Sequence, residues 1–82
     1  MIFLIQYNRP TGRIESFRVF DETDRKAADD ARLELELDLH RKNVDHEVVL
    51  LEASTEQALR RTHRRYFEDP SEIATSVRRL TE

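Results

Sequence analysis

The sequence contains no cysteine and only one glycine among its 82 residues, and each shortage closes off chemistry. Without cysteine there are no disulfides, no thiolate nucleophile and no cysteine-based zinc site. With Gly12 as the sole glycine, a glycine-rich phosphate-binding loop has nothing to be built from. Long hydrophobic runs are also missing. The apolar start, Ile2-Phe3-Leu4-Ile5, is broken by Gln6 and Arg9. A signal peptide needs ~7–15 apolar residues behind a basic stretch, and a membrane span needs about 20. The run therefore reads as a buried strand, and the chain as cytoplasmic, with no membrane partner. No internal repeat or low-complexity segment is visible, and no Ser/His/Asp constellation or enclosed carboxylate pair can be assembled. No enzymatic activity and no cofactor are expected.

Charged residues make up 38% of the chain and hydrophobic residues another 38%, a globular balance rather than a disordered one. The length allows one core, a single domain over residues 1–82 that buries roughly 60–65% of its unfolded surface. The net charge of −3 conceals an uneven distribution. The acids concentrate in residues 21–56, where twelve face five bases. Both flanks are basic, and residues 57–82 carry six arginines.

Ile2 to Tyr7 is almost continuously apolar, the pattern of a central strand buried on both faces. Asn8 to Gly12 is a turn containing Pro10 and Gly12. Arg13 to Phe20, with Phe17 and Val19 among charges, reads as an edge strand returning in a hairpin. Residues 33–39 alternate leucine with acid, which is the strand period. Leucine, glutamate, alanine and arginine nevertheless dominate residues 25–42, and no β-branched residue appears among them, so propensity favours a helix. Acids at the start and Arg41 and Lys42 at the end complement a helix dipole. A helix over roughly 23–42 is expected, with Asn43 as its left-handed cap.

Glu47 to Ala53 reads as a third strand. Ser54 and Gln57 then form a capping box opening a helix to about Phe67, with Ala58, Leu59, Thr62, His63 and Tyr66 inward. Asp69-Pro70-Ser71-Glu72 repeats a start signal, and Ile73, Val77 and Leu80 follow at helical spacing. The expected fold is thus α+β, in the order ββαβα with a short terminal helix over about 69–82. Its three-stranded antiparallel sheet has the order 2-1-3, with the helices on one face.

Two constellations offer a function. Arg60, Arg61, Arg64 and Arg65, at i, i+1, i+4 and i+5, form a basic helix face suited to phosphates. Equally, Glu56 lies four residues before Arg60, so local ion pairs are available. The long helix raises the other question. Ala28, Ala31, Leu35 and Leu39 make one apolar stripe, at ~100° per residue. Leu33 and Leu37 fall nearly opposite, and a second or third helix must cover them or they form a partner surface. The simplest partner is a second copy in a two-fold homodimer. His40, Asp45 and His46 match no zinc spacing, and His63 reads as an interior histidine rather than a catalytic base. The leading expectation is a non-enzymatic, self-associating protein-interaction module. The alternative is a small RNA- or ribosome-associated protein using the arginine face.

Overall fold

The computed structural model describes residues 1–67, and the expected helix over 69–82 lies outside them. The first strand, β1 (Ile2–Asn8), pairs antiparallel on one side with β2 (Arg13–Phe20) and on the other with β3 (His46–Glu52), giving the order β2-β1-β3. The helix α1 (Arg25–Arg41) joins β2 to β3, and α2 (Glu56–Thr62) follows β3. Short three-ten turns occupy Glu22–Asp24 and Arg64–Tyr66. The α+β class, the strand order and the antiparallel pairing are those expected from the sequence.

Its place at the centre explains the composition of β1. Ile2, Phe3, Leu4 and Ile5 are at most 1% exposed, because residues alternate between two faces and both are occupied. Phe3, Ile5 and Tyr7 cluster with Leu59 and Tyr66, which come from the chain after β3. The alternate set, Leu4 and Gln6, shares a cleft with Ala31, Leu35 and Asp38 of α1. The expectation that the helices pack on one face is thereby corrected. Among the described residues, α1 lies on the Leu4 face and α2 on the Phe3 face. The apolar continuity of β1 already demanded this, since a strand lined on both faces needs a layer on each.

The hairpin turn is closed by the Gly12 amide, which donates to the Asn8 carbonyl at 2.8 Å, with Gly12 at φ 69°. The register of β2 slips between Gln6 and Tyr7, so that Gln6 pairs with Ser16 but Tyr7 with Ile14. Glu15 is the extra residue of this bulge, and its carboxylate accepts from Asn8 Nδ2 at 2.9 Å. The slip brings Ile14 onto the same face as Phe17, three positions away, and both pack on the Phe3 cluster. Strict alternation would have put them on opposite faces.

The helix over the leucine–acid alternation forms as expected, preceded by the three-ten turn that Asp21 caps through the Thr23 amide. Its end is a Schellman motif. Asn43 adopts φ 56°, its amide donates to the His40 carbonyl, and the Val44 amide donates to Leu39 at 2.9 Å. The second helix departs from expectation at both ends. Its cap is Thr55 rather than Ser54, with Thr55 Oγ1 accepting from the Ala58 amide at 3.0 Å. The Ala53 amide still bonds the Met1 carbonyl, so the chain stays tied to the sheet just past the end of β3. The helix stops at Thr62, not Phe67. There the Thr62 hydroxyl donates back to the Ala58 and Leu59 carbonyls, a bond that competes with helical continuation.

Candidate interaction surface on the outer face of α1

The helix α1 turns Ala28 and Leu39 inward, where both are buried. Half a turn away, Leu33 and Leu37 point from the sheet and are 54% and 52% exposed. The second helix does not cover them, because it packs on the opposite face. Leu33 and Leu37 thus sit as neighbours one turn apart on an outer face otherwise made of Lys26, Asp29, Asp30, His40 and Arg41. Lys26, Asp29 and Asp30 stand toward the start of the helix and His40 and Arg41 toward its end. Lys26 holds Asp30 at 3.2 Å and Lys42 holds Asp38 at 3.0 Å. Arg41 stands farther off from Asp38, at 3.9 Å.

The four arginines do not share a helix face. Arg60 and Arg61 are in the last turn of α2, while Arg64 and Arg65 belong to the three-ten turn beyond His63. Arg60 is held by Glu56, with its Nη2 at 2.8 Å, and lies over the Phe67 ring at 4.5 Å. Arg65 is tied more firmly. Its Nη2 donates to both oxygens of Glu47, at 2.9 and 3.1 Å, and its guanidinium lies 4.3 Å from the Tyr66 ring centre. Hydrogen bonding to the Tyr66 hydroxyl, followed by the charges around it, pushes the Arg65 pKa further above its usual value.

Glu47 is the residue that sequence reasoning missed. Its side chain is only 15% exposed and receives Arg65, the Tyr66 hydroxyl at 3.2 Å and Arg9 at 3.7 Å. It thus ties the hairpin loop and the three-ten turn to β3. Position 47 is the second residue of β3, after a loop with a single acid, Asp45, and nothing in that local pattern marks it as a hub. No protein family, curated protein or solved structure matches the chain.

The histidines also take defined places. His46 Nδ1 lies 2.7 Å from Gln6 Nε2, and Gln6 Oε1 accepts from Ser16 Oγ at 3.2 Å. The result is a polar row across all three strands beneath α1. His40 and Asp45 are exposed. Among the described residues, no three histidine or acidic side chains gather as metal ligands. His63 is half-buried at the end of α2, where its amide donates to the Leu59 carbonyl at 2.9 Å. No helix among the described residues is long and apolar enough to cross a membrane.

Proposed function

We propose that this chain is a non-enzymatic interaction module that associates with itself through the outer face of α1. The observation that carries the reading is the pair Leu33 and Leu37, each more than half exposed on the otherwise charged outer face of α1. An adjacent apolar pair bordered by charges is the composition of a small contact surface, with a centre to desolvate and a polar rim. The second face of the sheet, which would stand bare with both helices on one side, gives no support, since α2 occupies it. The arginine cluster supports a nucleic-acid site less well than its sequence spacing implied, because Arg60 and Arg65 are already bound to acids within the chain.

The energetics set the strength of such an association. Burying the remaining half of a leucine contributes about 1 kcal/mol. The four leucines of a two-fold pair then contribute roughly 4 kcal/mol, against an association cost of at least that size. The leucines alone therefore do no more than offset that cost, so the expected association is weak and is to be sought at high concentration. Sedimentation equilibrium from ~5 to ~500 µM should show the mass rising above that of one chain as the concentration increases. Leu33→Glu should hold it at one chain while leaving the circular dichroism unchanged. A wild-type monomer throughout, or a dimer indifferent to Leu33→Glu, would refute the proposal.

A further inference from the structure

We infer that residues 68–82, which follow the described chain, dock on the β2 side of the Phe3 face, with Ile73, Val77 and Leu80 against Phe17 and Val19. The docking concerns a different face from the proposed self-association and does not depend on it. Its first basis is an apolar surface left open. Val19 pairs with Phe3, Phe17 with Ile5 and Ile14 with Tyr7, so all three β2 side chains share the Phe3 face. Leu59 and Tyr66 occupy the centre of that face, packed with Phe3, Ile5 and Tyr7. Toward β2 the cover gives out, and Val19 is 49% exposed. Next along the strand, a groove of about 610 Å³ runs between Ile14, Phe17 and Phe67, with Arg13 and Arg60 in its lining.

The second basis is the direction of the chain as it reaches Phe67. Three successive residues step across the three strands. Arg65 bonds Glu47 of β3, Tyr66 meets Tyr7 of β1, and Phe67 meets Phe17 of β2 with ring centroids 6.0 Å apart. The chain thus arrives at the groove, over the outermost strand, with residues 68–82 still to follow. Those residues carry the complementary pattern. Ile73, Val77 and Leu80 form one apolar stripe at the helical spacing that the sequence predicts for 69–82. A helix of that length measures ~21 Å, enough to run the ~17 Å of strand from Ile14 to Val19. The charges agree. Glu68, Asp69 and Glu72 come first, and no basic residue precedes Arg78. This acidic stretch directly follows Phe67, which shares its groove with Arg13 and Arg60, and opposite charge at the entrance favours the seat. The other apolar seat, Leu33 and Leu37, lies across the sheet on the far side of α1. Reaching it takes the chain around a sheet edge and leaves Phe17 and Val19 open. Docked on β2, the segment completes the second layer and leaves Leu33 and Leu37 without cover from their own chain.

The test is a methyl nuclear Overhauser spectrum of the full chain at high dilution, where contacts between copies do not contribute. Cross-peaks should join the methyls of Ile73, Val77 or Leu80 to those of Val19 and to the Phe17 ring. A second reading comes from Val77→Asp, also in the full chain. Burying a carboxylate against Phe17 and Val19 is unfavourable, so the variant should release the segment. The amide resonances of Ile14 to Val19 should then shift while those of Leu33 to Arg41 stay in place. Cross-peaks from the segment to Leu33 and Leu37 would overturn the docking and, by covering that pair, the α1 proposal with it. Methyls of Ile73, Val77 and Leu80 without any cross-peak to residues 1–67, or β2 amides indifferent to Val77→Asp, would overturn the docking alone.

Discussion

Tyr66 shows how a single side chain can settle where the chain goes after a helix. Its ring meets Tyr7 edge-on, with centroids 5.1 Å apart, and its hydroxyl donates to Glu47. Continuing α2 to Phe67 would have kept the residue at helical spacing from Leu59. Instead the three-ten turn lowers Tyr66 onto Tyr7, where it is 7% exposed. The aromatic contact and the hydroxyl bond are separable. Tyr66→Phe should keep the ring contact and lose about 1 kcal/mol in urea denaturation, whereas Tyr66→Ala should lose about 3–5 kcal/mol.

Asp21 offers a second test at this scale. The amide and then the hydroxyl of Thr23 hold its carboxyl pKa below the ordinary value. A group depressed on folding contributes stability above its unfolded pKa and loses it as pH falls through the folded value. That window lies below about pH 4. Acid titration of Asp21→Asn, followed by circular dichroism, should show a flatter decline there than the wild type. A decline identical to wild type would show that the cap is not coupled to folding.

Among the elements, α1 was legible because propensity and termini agreed against a misleading alternation. The leucines at odd positions imitate a strand, yet the absence of β-branched residues from 25–42 and the Asn43 cap pointed to a helix. The second helix was less legible. Ser54 and Thr55 are both competent caps, and the choice depends on where β3 releases the chain, which is a tertiary fact. The structure makes the distinction testable by thermal or urea denaturation. Thr55→Ala should cost about 1 kcal/mol, while Ser54→Ala should stay within about 0.5 kcal/mol. Equal losses at both positions would contradict the cap assignment. The bulge in β2 was hidden for a related reason. Ile14 is out of phase with Phe17, and only pairing with β1 shows that one extra residue restores it to the core face.

At the scale of the whole molecule, the sequence already contained the reason for a layer on each side of the sheet. A first strand apolar at consecutive positions cannot be satisfied by helices on one side alone. Assigning the second helix to a face required knowing where Leu59 and Tyr66 would land, and no local pattern encodes that. The same ambiguity surrounded the arginines. Their spacing suggested one basic face only if the helix continued, and Thr62 ends it. Leu33 and Leu37 were legible as a surplus stripe from periodicity alone, and their exposure in the fold makes them the centre of the functional proposal.

The most direct test is a dilution series followed by amide proton–nitrogen spectra of the uniformly labelled chain. Self-association through α1 predicts shifts that grow with concentration and are confined to its outer face, from Lys26 through Arg41, while amides of β2 and of Arg60 to Arg65 stay in place. Spectra that do not change with concentration, or shifts that gather on the arginines or a sheet edge instead, would contradict it.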